Sequence, residues 1–154
     1  MDTVRQNRLD RLASAPDRLS AAVKALEAAE AVSGTPAGEW TARQGLGHLC
    51  RVEIEVFASR LSSLEGDTPP SWVWHEPGTA DASWMATTET ALAEFAARRA
   101  ATVARLRTLD DAGWAKVGNH ATFGQLDVAG YLGVMADHDD EHIAGMQARA
   151  GTGS

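Results

Sequence analysis

The sequence predicts an all-α fold, a four-helix bundle, and three observations carry that expectation. Apolar residues recur at helical spacing in four stretches of the 154-residue chain. No stretch shows the sustained two-residue alternation of a half-buried strand. The composition, 44% hydrophobic and 23% charged, is globular, and the length suffices to bury one core, so a single domain over residues 1–154 is expected.

The first helix is expected from Pro16 to Val32, with Ser14 as its cap and Leu19, Val23 and Leu26 at core spacing. Pro16 suits a first turn, where its missing N–H costs nothing. A shorter helical piece, Thr3 to Ala13, precedes it. The second helix begins at "WTARQ", where Thr41 and Gln44 read as a capping box; Leu46, Leu49, Phe57, Leu61 and Leu64 mark its face, and it ends near Gly66.

Residues 66–80, "GDTPPSWVWHEPGTA", hold three of the five prolines and no helical period, which predicts a long connection rather than a tight turn. A third helix follows from Asp81 to Leu109, with Met85, Leu92, Phe95, Val103 and Leu106 on one side. The irregular "DDAGWAKVGNHATFG" leads into the fourth, from Gln125 to Ala150, whose apolar face carries Val128, Tyr131, Leu132, Met135, Ile143 and Met146. Trp40 and Trp114 are expected to lock loops onto the bundle ends. Trp72 and Trp74 are expected to anchor the long connection, with a lid over a ligand as the other use of such rings.

A formal net charge of -7 with no basic stripe argues against nucleic acid as a partner. The longest apolar run, Val128 to Ala136, is far too short for a membrane span. The opening "MDTVRQNRLDR" does not read as a secretory signal, and a single cysteine, Cys50, excludes a disulfide within the chain. The expected location is the cytoplasm.

The fourth helix sets His138 and His142 four residues apart on its apolar face, together with Asp139, while Asp137, Asp140 and Glu141 point to solvent. Two such imidazoles reach one ion beside the helix, or else serve as two hydrogen-bonded core histidines. His48 is the candidate third ligand, since an open metal site takes three protein ligands. Periodicity alone would leave His48 exposed, and an up-down-up-down bundle would hold it roughly 15 Å in depth from His142. If the long connection crosses the bundle, the second and fourth helices become antiparallel and His48 comes level with the pair.

Cys50, two residues from His48, points elsewhere and packs as a small apolar side chain. His75 and His120 fall in irregular segments; His120 retains a chance of lining a pocket. Glu53 and Arg99 interrupt apolar faces, and burial of either charge is costly without a partner, so they are expected to pair or to face the pocket. Glu53 and Asp139 are the candidate general bases, with Asp139 alternatively orienting a ligand histidine. Arg99 and His120 are the candidate cofactor-binding residues.

"GEWTARQGLGHLCRVE", "FAARR" and "FGQLDVAGYLGVMADHDDEHIAGM" resemble the DinB-like (damage-inducible) superfamily of four-helix metal proteins over nearly the whole chain. Arg51 stands where the family often has an acid. The resemblance implies a bundle with a long crossover between its second and third helices, His48, His138 and His142 as ligands of a divalent metal such as zinc or nickel, and a homodimer. It further implies a transferase in which the metal holds mycothiol, bacillithiol or glutathione as a thiolate that attacks an electrophilic small molecule. Metal-assisted hydrolysis of a small substrate, and a non-catalytic metal- or ligand-binding stress protein, are the alternatives.

Overall fold

Most of the bundle's order follows from one long first helix. In the computed structural model, which describes residues 1–77 and 86–152, α1 runs unbroken from Thr3–Ser33, capped by the Asp2 carboxylate on the Arg5 amide. The two expected pieces are therefore one helix, and Ser14 is not a cap. A proline inside a helix strips the donor from the carbonyl four residues back. Here that carbonyl, Leu12 O, accepts from Arg99 Nη1 at 3.1 Å, so a tertiary bond replaces the lost helical one.

The second arm opens with α2 (Ala42–Arg51), and its capping box is present as expected, Thr41 and Gln44 each satisfying the other's backbone amide. The arm then widens into a π-helical segment, Val52–Ala58, before closing as α3 (Ser59–Ser63). A π-turn adds a residue per turn, so the faces before and after it fall out of phase. One wheel drawn from Leu46 to Leu64 could not represent both.

After the crossover, α4 spans Thr88–Arg107 with Thr87 as its cap. Its expected start at residues 81–85, Met85 included, lies outside the described residues, and Ala86 and Thr87 precede the helix. The stretch read as irregular holds α5 (Asp111–Trp114) and a hairpin of β2 (Val117–His120) and β3 (Gly124–Asp127). The crossover adds β1 (Ser71–Trp72) parallel to β2, giving a small sheet of order β1-β2-β3. Strands of two to four residues are too short to show alternation in a sequence. Gly118 is required in β2, because a Cβ there would lie 2.2 Å from the Trp72 ring. The last helix, α6, consequently begins at Val128 rather than Gln125 and runs to Thr152.

Contacts fix the directions of the arms. Between α2–α3 and α4 the paired residues rise together, Cys50 with Ala91, Glu53 with Thr102 and Ser62 with Arg105, so these arms are parallel. Between α2–α3 and α6 they run oppositely, Gly45 with Met146 and Phe57 with Tyr131. α1 and α6 are parallel, joined by Arg8 on the Ala129 carbonyl and by Arg18 on Asp140 at 2.6 Å. This is the bundle with a crossover between its second and third long arms. Asp137 and Glu141 face outward as expected, whereas Asp140 is half-buried between Arg11 and Arg18. Among the described residues, no helix is long and apolar enough to cross a membrane.

The core divides into two apolar clusters. Leu9, Leu12, Val56, Leu106, Leu132 and Met135 belong to the half nearer the sheet; Leu19, Val23, Leu46, Phe95, Ile143 and Met146 belong to the other. Between them lies a polar layer centred on Arg99, which is 1% exposed. Its Nε and Nη2 donate to Glu53 at 3.1 and 2.9 Å, its Nη1 and Nη2 to Asp139 at 2.7 and 3.2 Å, and its Nη1 to Leu12 O. All five guanidinium donors are thus satisfied. Burial opposes the charge of Arg99, but Glu53 and Asp139 outweigh it and hold the guanidinium pKa above its ordinary value.

Removing the cation would strand two buried carboxylates. Arg99→Met should cost about 3–5 kcal/mol in urea denaturation of the metal-free protein. A loss below about 1 kcal/mol, the size of an exposed pair, would show that the layer is not a structural pivot.

Candidate metal centre

The three histidines singled out in the sequence come together at one place. Each offers a ring nitrogen, and these nitrogens lie within 4.8 Å of one another. Ring centroids are 4.6 Å apart for His138 and His142, 5.0 Å for His48 and His142, and 5.9 Å for His48 and His138. Four nitrogens around a tetrahedral zinc would sit about 3.3 Å apart, given Zn–N bonds of about 2.0–2.1 Å. Small rotations of three rings span that difference.

His138 and His142 owe their place to helical spacing on α6, and His48 owes its place to the antiparallel direction of α2. His48 is only 2% exposed, because features that periodicity does not see cover its outer side. The Trp40 ring packs 4.9 Å away, and Glu76 of the crossover brings Oε1 to 3.4 Å from His48 Nδ1. Trp74, half-exposed in the same crossover, stacks 6.2 Å from His138, while Phe57 meets that ring edge-on at 5.5 Å.

Burial, then the neighbouring His142 and His48, push the His138 pKa down to about 3. Burial and His48 also lower that of His142. Both imidazoles are therefore neutral at pH 7, the form that donates a lone pair to a metal. His138 Nδ1 is buried with no hydrogen-bond partner among the described residues, an orphaned nitrogen that a bound ion would explain. The donor set and its environment fit a divalent cation with one side left for a small ligand.

The other sequence candidates do not join the cluster. Glu53 and Asp139, considered as bases, spend their oxygens on Arg99, with Thr102 also donating to Glu53 at 3.0 Å. Asp139 thus braces the bundle, and its recorded bonds go to Arg99 rather than to a histidine. Burial raises its pKa against the pull of Arg99. Arg99, considered for cofactor binding, has no donor left. His120 uses Nδ1 to accept the Thr122 and Phe123 amides in the hairpin turn, and burial followed by Arg60 lowers its pKa. His75 is exposed in the crossover.

Cys50 is buried, its thiol pushed up to about 12 by desolvation, which leaves it a small apolar group. Trp114 is buried, as a loop lock should be, and Trp72 anchors the crossover through an indole N–H donated to Ser63 Oγ at 3.0 Å. Arg60 stiffens the same region, donating to the Val73 carbonyl at 2.9 Å beneath the Trp72 ring. Glu76 was not singled out by the sequence; the only signal was its place in an aromatic, proline-rich connection.

The chain belongs to the DinB superfamily, whose family model matches residues 11–146. Among solved structures it is similar to YfiT from Bacillus subtilis, described as a probable metal-dependent hydrolase with an unusual four-helix bundle topology. That likeness has a TM-score of 0.75 at 23% identity and covers 97% of this chain and 88% of the other, a likeness of fold. No curated protein matches the sequence.

Neutral buried histidines make stability depend on pH. The unfolded chain protonates His138 and His142 near pH 6.5, while the folded chain holds both below that value, His138 down to about 3, so their contribution is full above pH 6.5 and is lost as pH falls. Between pH 7 and 5, His138 alone should cost the metal-free protein about 2 kcal/mol, at 1.36 kcal/mol per unit. Urea midpoints in EDTA at the two values test this, and His138→Phe should flatten the slope. A midpoint that holds or rises on acidification would contradict it.

Proposed function

We propose that His48, His138 and His142 hold one divalent cation, zinc or nickel, and that the protein is a metal-dependent transferase joining a low-molecular-weight thiol to an electrophilic small molecule. The convergence of three imidazoles, those of His138 and His142 held neutral, beside an open groove carries this reading. An ion held there supplies Lewis acidity, which lowers the pKa of a thiol or water on its free position.

The protein's own residues supply the rest. Trp40, Phe57 and Trp74 keep bulk water from the histidines, which strengthens electrostatics at the site. Glu76, with Oε1 3.4 Å from Nδ1 of His48, would orient that ring toward a cation. In thiol transfer the sulfur gives up its proton, a carbon–sulfur bond forms, and the electrons displaced on the substrate take up a proton. Mycothiol, bacillithiol and glutathione are the candidate thiols. The fold likeness to YfiT favours a second reading, hydrolysis of a small substrate by a water in the same position.

Elemental mass spectrometry of the protein purified without a histidine tag should find about one equivalent of metal, lost in the His138→Ala/His142→Ala double variant. Equal trace metal in both would make the trio core histidines and end both enzymatic readings. Glu76→Gln should weaken zinc binding about 10-fold or more while leaving the stoichiometry at one. Cobalt-substituted protein whose visible spectrum shifts with a thiol, and not with a small ester, would favour transfer over hydrolysis.

A further inference from the structure

A groove of about 400 Å³ opens beside the histidine cluster, with His142 in its wall. That volume lies in the range of small-molecule sites. Trp40 and Met146 give it apolar surface, and Glu39 and Glu141 stand at its rim. Neither carboxylate has a cationic partner among the described residues, although Glu141 acts electrostatically on His142.

The one cation in the lining is already engaged. Arg149 donates to the Trp40 carbonyl at 2.5 Å and pairs with Glu30 at 3.6 Å, which compensates its charge. Residues 78–85, "GTADASWM", contain no lysine or arginine. In the metal-free protein the groove therefore presents two carboxylates with no cationic partner among the described residues, next to Trp40, which is 38% exposed. A carboxylate pair beside an indole is the chemistry that receives an ammonium, by ion pairing and by cation–π attraction.

We infer that this groove is the substrate-binding side of the centre and that it selects small molecules bearing a positive charge, such as a primary ammonium, on a short apolar stem. The inference deepens the metal-dependent reading above and rests on it for the groove's link to chemistry. The cation lies over Trp40 between Glu39 and Glu141, and the stem runs along Met146 toward His142. Carboxylate-bearing molecules of equal size are repelled at the rim.

Gly145 offers a way to close the groove, since a Cβ there meets nothing within 4 Å. A larger side chain at that position extends into open space, and leucine is also a better helix former than glycine.

The test uses benzylamine, benzyl alcohol and benzoate as matched probes, titrated against metal-free ¹⁵N-labelled protein while the Trp40 indole N–H resonance is followed. Benzylamine should bind roughly tenfold more tightly than benzoate at low salt, with benzyl alcohol between them, and the spread should shrink at high salt. The Glu39→Gln/Glu141→Gln double variant should bring the three probes to within about twofold of one another. Gly145→Leu should abolish benzylamine binding with thermal unfolding unchanged; if it unfolds, the glutamine double variant decides. Equal affinities, or benzoate the tightest, would overturn the inference.

Zinc uptake is measured separately on the same samples. Zinc bound without amine selectivity sinks the groove alone, whereas amine selectivity without zinc sinks the metal centre and leaves the groove as a cation-binding site.

Discussion

One guanidinium touches all four long arms of this bundle. Arg99 rises from α4, clasps Glu53 on the second arm and Asp139 on α6, and reaches the Leu12 carbonyl on α1. Apolar clusters above and below tolerate small slides of one helix past another, because any leucine will meet another. A planar fork with five fixed donors does not. The layer therefore sets the register of the four arms, at a desolvation cost that hydrophobic replacements would avoid. That register also places His48 level with His138 and His142, because Glu53 lies five residues beyond His48 and Asp139 next to His138.

The same layer accounts for Pro16. An isolated helix would lose about 3 kcal/mol to a proline in its interior. Here the proline frees an acceptor in a region where a buried arginine needs a fifth partner. The two local irregularities, an interior proline and a buried charge, compensate each other. The π-segment is a third irregularity at the same level, and Glu53 lies within it. All three concentrate at the Arg99 layer, where conformity to local rules gives way to tertiary demands.

Much of this was legible in the sequence, and the rest was hidden for identifiable reasons. Helical period on α6 gave its buried face and the histidine pair, and the capping box at Thr41 marked the start of α2. The length of the connection after residue 66 allowed a crossover, which would bring His48 level with His142. Costly burial gave the Glu53–Arg99 pair. Hidden were features with no period: the tertiary bond that carries α1 through Pro16, the π-turn, and strands too short to alternate. Asp139 was legible as buried but not as the second partner of Arg99, since its choice between a histidine and an arginine is made in three dimensions. Glu76, Glu39 and Trp40 come to the site from irregular chain, where spacing predicts nothing about proximity.

Among the described residues of the crossover between the second and third long arms, Trp72 is the one in the apolar core, while Trp74 and Glu76 roof the histidines. Holding the arms together and shaping what reaches the histidines are thus assigned to different parts of the chain. Loops tolerate change in length and sequence far better than packed helices do. The roof can therefore change without unsettling the frame that holds the three histidines together. A small bundle organised this way is a socket into which many lids can be fitted.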